Sequence, residues 1–225
     1  MKFTYYGHSC FGIETGGKNF LFDPFISPNE LAKDIDVDSV PADYILVSHG
    51  HGDHVADLVR IAKRTNATVI AAYEIVEWVK KQGITNAHPM NFGPYTFDFG
   101  KLHFLPAWHS SALPDGSYGG NPGGFLMHGA EKKFYYSGDT SLMMDMQLLP
   151  RYARLDFAIL PVGGNFTMDV DDAIIASDFI QCNKIIGIHF DTFGYIKIDH
   201  DKAKEKFKAA GKELILPKIG ESFDL

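Results

Sequence analysis

The chain has 225 residues, 45% hydrophobic and 22% charged, which is enough to bury one sizeable core and is ordinary for a soluble globular enzyme. Twenty-one Lys and Arg against 28 Asp and Glu leave a formal charge of −7, which speaks against a sequence-independent nucleic-acid binder with a basic face. No apolar stretch is long enough to span a bilayer, the first residues lack the apolar run of a secretory signal, and two cysteines do not build a disulfide framework; a reduced cytoplasmic setting without membrane or nucleic-acid partners is expected.

Strands open the chain. Residues 2–6, 10–14 and 19–22 are aromatic or β-branched, punctuated by Gly7 and by Gly16-Gly17. Residues 43–47 are a compact apolar run suited to a buried strand. Over residues 53–64 the apolar Val55, Leu58, Val59 and Ala62 recur at helical spacing, with Asp53 placed to cap the helix. A strand at 68–71, a helix at 73–82 ended by Gly83, and strands at 96–99 and 102–107 follow. Residues 110–124 are the one long loop and the expected lid, whose glycines could offer N–H groups to a phosphate or carboxylate. Beyond it come strands at 125–128, 134–137 and 156–160, a helix at 170–181, a strand at 185–189, a helix near 202–210 and a strand at 214–217. No repeat, charge block or long Pro/Ser/Gly tract divides the chain, so a single domain over 1–225 is expected. Many strands first, then strands alternating with helices, fit two packed sheets with helices outside, without compelling them.

The densest chemical signal is Ser48-His49-Gly50-His51-Gly52-Asp53-His54. It falls where a buried strand should give way to a helix, so its side chains can converge, and its glycines let the backbone bend. Imidazole with carboxylate suits Zn, Mn, Fe or Ni, and the lack of Cys argues against a thiolate site. The alternative, a solvated His-rich loop, seldom produces so dense a cluster. His109, Asp139 and His189 share the same context, a strand end followed by small or polar residues. Singly, each is as readily a hydrogen-bonded structural residue or a turn residue; together they supply what two metals would need.

Other residues carry weaker signals. His8, in a turn between early strands, is a candidate substrate ligand or proton donor, or equally a structural turn histidine. Asp23 before Pro24 reads as a turn residue or as a partner orienting a metal-bound His. Asn165 and Thr167 after the 156–160 strand, and Gly120 and Asn121 in the long loop, are candidates for substrate contact. His88, His103, His128 and His200 are scattered and read as structural, and Met143, Met144 and Met146 as packing or subunit contact. No Gly-x-x-x-x-Gly-Lys-Ser/Thr run is present to bind a nucleotide as a P-loop.

His49-Gly50-His51-Gly52-Asp53-His54 matches an H-x-H-x-D-H signature. It is joined, in order, by Gly7-His8-Ser9, Phe22-Asp23-Pro24-Phe25, Ala107-Trp108-His109-Ser110-Ser111, the segment 118–125, Ser137-Gly138-Asp139-Thr140 and the segment 163–168. On these blocks almost the whole chain resembles the metallo-β-lactamase superfamily, in the branch of metal-dependent hydrolases similar to ascorbate-6-phosphate lactonases. The resemblance implies an α+β/α/β fold, the four-layer αββα sandwich, with the site on loops at one edge of the two sheets. It implies two divalent metal ions (Zn, Mn, Ni or Fe), one held by His49, His51 and His109, the other by Asp53, His54 and His189, with Asp139 bridging. Phe190, beside His189, stands where Tyr is expected. Asp139 occupies a position where several true β-lactamases carry Cys, which makes antibiotic hydrolysis a poorer fit.

Such a pair of cations, about 3.5–4 Å apart, turns a shared water into a bridging hydroxide nucleophile at neutral pH and polarises the substrate oxygen. Asp53 and His8 are the expected catalytic partners, and a small ester or lactone, phosphorylated sugar lactones included, is the expected substrate. A metal-dependent phosphodiesterase is separated from this reading by ester against phosphodiester preference, and a non-catalytic metal-binding sensor by the absence of turnover. A di-iron redox module is a further option, disfavoured by the lack of a flavin domain and by His54. The expected partner is a small-molecule substrate, and a symmetric homo-oligomer stays open.

Overall fold

Burial with a period of two sorts the strands into layers. The computed structural model describes residues 1–129 and 131–225. Its first half runs β1 (Lys2–Gly7), β2 (Cys10–Thr15), β3 (Lys18–Phe22), β4 (Tyr44–Leu46), α1 (Gly52–Val55), α2 (Leu58–Thr65), β5 (Thr68–Ala72), α3 (Tyr73–Lys81) and β6 (Ala87–Met90). The second half runs β7 (Gly93–Phe97), β8 (Gly100–Pro106), β9 (Gly123–His128), β10 (Lys133–Tyr136), α4 (Leu149–Tyr152), β11 (Phe157–Pro161), α5 (Val170–Phe179), β12 (Lys184–Ile188), α6 (His200–Ala209), β13 (Glu213–Ile215) and β14 (Ser222–Asp224). They build two seven-stranded sheets, β14-β1-β2-β3-β4-β5-β6 and β13-β12-β11-β10-β9-β8-β7. Each sheet is antiparallel at one end and parallel at the other, the change falling at β3 and at β10.

Alternation along β10, β11 and β12 shows which face meets which layer. Phe134 and Tyr136, Phe157 and Ile159, and Ile186 and Ile188 join the core shared with the first sheet. Tyr135, Ala158, Leu160 and Ile185 point the other way, into a core with Ala173 and Ala176 of α5 and Phe207 of α6. These parallel strands are apolar on both faces because both faces are covered. Between the sheets, the Phe22 ring lies 6.2, 6.1 and 5.7 Å from those of Phe125, Phe134 and Tyr136. Ile61 and Ala62 of α2 and Ile75, Val76 and Val79 of α3 close the outer face of the first sheet. The layers are helix, sheet, sheet, helix, as the resemblance implied.

Several local expectations are corrected. The helix expected over 53–64 breaks into α1 and α2 at Asp57, which has φ −100° and ψ 1°. There the Asp57 carboxylate accepts from Ile26 N at 2.7 Å, Ser27 N at 2.8 Å and Ser27 Oγ at 2.5 Å, tying the chain to the loop after β3. Asp53 caps nothing: the cap position of α1 is His51, without a side-chain bond, and Asp53 lies in the first turn. Residues 110–124 do not form a free lid. Ala112 and Tyr118 pair, Leu113 is buried in the core, and Ser111 Oγ accepts from Gly50 N at 3.0 Å, so the segment braces the His49–His54 loop. Strands β6, β7 and β14 are all sheet edges, and two of them carry proline, Pro89 and Pro94, which an edge accommodates because one side of the strand needs no ladder bond. Cys10 and Cys182 are free and buried. Among the described residues no helix is long and apolar enough to cross a membrane.

Candidate metal centre

The C-terminal ends of five strands, from both sheets, deliver the chemistry. His8 follows β1, the Ser48–His54 segment follows β4, His109 follows β8, Asp139 follows β10 and His189 follows β12. His49, His51 and His109 each offer a nitrogen within 4.8 Å of the others; ligand atoms of His8, Asp53, His54 and His189 meet the same limit. Asp139 sits between the two groups, its Oδ2 3.0 Å from His189 Nε2, 3.3 Å from His54 Nε2 and 3.7 Å from His109 Nε2. The rings of His49 and His54, one from each group, are 4.0 Å apart. All seven residues expected to bind metal are therefore brought together.

A third grouping, Asp23 with His49 and His54, also meets the distance limit. Its carboxylate is already saturated. Asp23 Oδ2 accepts from Ser48 Oγ at 2.6 Å, from His54 Nδ1 at 2.8 Å and from the Tyr136 hydroxyl, while Oδ1 accepts from Ser48 N at 2.7 Å. Asp23 therefore orients His54 rather than offering a free ligand oxygen. Ser48 Oγ, 3.0 Å from His49 Nδ1, steadies the neighbouring ring.

The electrostatics fit a cation. Burial, and then the charge of His54, holds His49 well below the usual imidazole range; burial also lowers His51 and His109. Neutral imidazole is the ligating form. Burial opposes ionisation of Asp139, but His189 and His54 outweigh it and keep the carboxyl well below its ordinary range. Burial likewise opposes a charged His54, yet Asp139 and Asp23 hold it well above the ordinary value. The cluster attracts positive charge to its centre. His54 Nε2 and Asp139 Oδ1 are buried without a hydrogen-bond partner; the former lies at ion-pair distance from Asp139 but not in hydrogen-bond geometry. A bound cation would remove that cost, about 1–3 kcal/mol per buried group.

His8 joins two loops. Its Nε2 is 3.1 Å from Asp53 Oδ2 and its Nδ1 3.0 Å from Thr192 Oγ1. Burial pushes its pKa down to about 4, against the pull of Asp53, so at neutral pH it carries one proton. Nε2–H donates to the carboxylate, and Nδ1 accepts the Thr192 hydroxyl. Burial tends to raise the Asp53 pKa, but the His8 bond and the His54 charge hold it well below the carboxylate range. His8, Asp23 and His189 all have positive φ, 55°, 43° and 54°, a conformation rare outside glycine and found where a site over-determines the backbone.

A cavity of about 770 Å³ opens over this cluster, with Asp53, Asp139 and His189 at its base and Phe166, Phe193 and Tyr195 among its exposed lining. Four residues named for substrate contact, Gly120, Asn121, Asn165 and Thr167, do not line it. Gly120 backs onto α3, where an added Cβ would sit 2.5 Å from Glu74 Oε2. Asn121 accepts from the Tyr118 hydroxyl at 2.7 Å and lies in a neighbouring depression. Asn165, at φ 58°, forms the turn before Phe166, and it is Phe166 that reaches the cavity; Thr167 does not line it. The long loop contributes Ser110 instead. Thr192, Phe193 and Tyr195 were missed, although aromatics packed around a Gly directly after His189 were a readable signal. His88, His103, His128 and His200 lie elsewhere, His200 bonded to Asp191 Oδ2 at 2.7 Å.

Residues 18–190 match the model of the β-lactamase superfamily domain. A protein of Flavobacterium johnsoniae described as a UPF0173 metal-dependent hydrolase is 55% identical over 100% of both chains. A protein of Methylacidiphilum infernorum with the same description is 52% identical, again over 100% of both. Among solved structures, a metallo hydrolase of the hyperthermophilic archaeon Ignicoccus hospitalis superposes with a TM-score of 0.88 at 30% identity, covering 100% of this chain and 98% of that one. The metallo-β-lactamase fold protein YhfI of Bacillus subtilis shares the fold, with a TM-score of 0.74 at 17% identity over 99% of this chain and 98% of that one.

Proposed function

The chain belongs to the β-lactamase superfamily as a metal-dependent hydrolase, and from that premise we propose that it cleaves a small ester or lactone at a centre of two divalent cations. The observation that carries this reading is the position of Asp139 between the two ligand groups, within 3.7 Å of imidazoles from both. His49, His51 and His109 would hold one ion and Asp53, His54 and His189 the other, with Asp139 facing both. Zn, Mn, Ni and Fe all accept this donor set. When bound, the ions supply Lewis acidity, which makes water a nucleophile at neutral pH and offsets negative charge on the substrate oxygen.

The chain's own residues do the rest. Asp53 lines the cavity and stays ionised, so its carboxylate can accept a hydrogen bond from the attacking water and orient it. His8 donates to Asp53 Oδ2 and fixes where that carboxylate points. Asp23 and Ser48 set the ring orientation of His54 and His49. A cavity of about 770 Å³ suits a small molecule, the usual range being roughly 300–1,000 Å³. A lactone as substrate is what the resemblance of the sequence blocks to the lactonase-like branch implies.

Protein loaded with Zn or Mn should turn over esters or lactones in a matched panel that includes phosphodiesters. Metal analysis should find two equivalents, and Asp139→Ala should lose at least roughly 100-fold in turnover. Phosphodiester turnover in place of ester turnover would move the reading to a phosphodiesterase. Metals bound without turnover of any panel member would sink the substrate assignment in favour of a sensor.

A further inference from the structure

The exposed part of the cavity is aromatic. Phe166, Phe193 and Tyr195 line it while remaining 49%, 38% and 79% exposed. Two separate loops present them, one after β11 and one after β12 beyond His189. The rings of Phe166 and Tyr195 meet edge to face at 6.3 Å, and that of Phe193 packs edge-on to His8 at 5.3 Å. Large aromatic side chains left in water beside a binding site hold apolar area that a ligand can cover.

The charge of the cavity is equally specific. Among the described residues no Lys or Arg lines it, and its carboxylate and imidazole groups are those of His51, Asp53, His109, Asp139 and His189. Each of these has a place in the proposed metal centre. A phosphate carried away from the scissile bond would find no guanidinium or ammonium there, the groups that usually recognise it. The formal charge of −7 on the chain adds to that cost.

We infer that the substrate is uncharged away from its scissile bond and carries an aryl or similarly flat apolar group that packs on Phe166, Phe193 and Tyr195. The inference rests on the hydrolytic reading above. Within it, uncharged aryl-bearing esters and lactones are selected over phosphorylated sugar lactones.

Calorimetric titration of zinc-loaded protein with acetohydroxamic acid, phenylacetohydroxamic acid and the para-phosphono derivative of the latter tests this. The hydroxamate is common to all three and reports the metal centre; the difference between them reports the aromatic lining. The phenyl compound should bind roughly tenfold or more tighter than the methyl one, and the phosphono group should abolish the gain. In the Phe166→Ala/Tyr195→Ala double variant the phenyl-to-methyl ratio should collapse to about threefold or less. Both side chains are substantially exposed, so the fold should survive, as circular dichroism would confirm. Equal affinity for the phenyl and methyl compounds, or tightest binding of the phosphono compound, would overturn the inference while leaving the metal centre standing. Failure of all three to bind would overturn both.

Discussion

Asp23 illustrates how one buried side chain sets the chemistry of another. It receives His54 Nδ1 at 2.8 Å, together with Ser48 Oγ and the Tyr136 hydroxyl, so the His54 Nε2 edge is turned toward Asp139. Burial and the Asp23 charge push the Tyr136 pKa well above its ordinary value, which keeps its O–H available to donate. Asp23→Asn preserves shape but removes the charge that four donors share. It should weaken metal binding by roughly 10–100-fold, measured by competition with a chelator, while the far-ultraviolet spectrum is retained. Unchanged affinity would show that His54 is oriented by packing alone. The candidate ligands themselves were legible because four of them lie within Ser48–His54 and the others end apolar runs. The role of Asp23 was half legible, since its place before Pro24 could equally have meant a turn. Phe166 was not legible at all as a lining residue, because no local pattern reports which loops fold over which strand ends.

At the scale of elements, the turn after β10 places Asp139, and Gly138 makes that turn feasible. Gly138 has φ +63°, and an added Cβ would lie 2.5 Å from Gly123 O and 2.9 Å from Ser48 Cβ. Gly138→Ala should therefore cost about 1–3 kcal/mol in stability, read as a lower denaturation midpoint at unchanged slope. It should also weaken metal binding, because the collision pushes the turn that carries Asp139 away from Ser48, which contacts the His49 ring; a variant with unchanged midpoint and affinity would refute this packing argument. The elements that sequence revealed well are the ones whose pattern is imposed by burial on both faces, such as β10, β11 and β12. Those it concealed are held by other means. The edge strands β6 and β14 lack a two-sided burial pattern, the strand expected at 96–99 is β7 and begins earlier at Gly93, and the helix break at Asp57 comes from a bond to Ser27 that helical spacing cannot announce.

At the scale of the molecule, the candidate ligands span His49 to His189 and hang from both sheets, β4 in one and β8, β10 and β12 in the other. Each sheet brings an incomplete set, so the full donor arrangement exists only when the sheets are packed through Phe22, Phe125 and Phe134. Cations that bind this arrangement and not the unfolded chain must stabilise it, by about 2.7–4.1 kcal/mol at 100–1,000 times the dissociation constant. For a chain of this size that corresponds to roughly 5–15 °C in Tm. Chelation should lower the melting temperature by that amount, and His51→Ala, which removes a candidate ligand at the half-exposed edge of the cluster rather than in the core, should remove most of the difference. The sheets share one core, so backbone and aromatic signals should be lost in a single transition with or without metal. Two transitions would mean that the sheets fold as separate units, against the expectation of one domain. One transition insensitive to chelation would mean that the histidines converge without holding a cation, and the hydrolytic reading would lose its foundation.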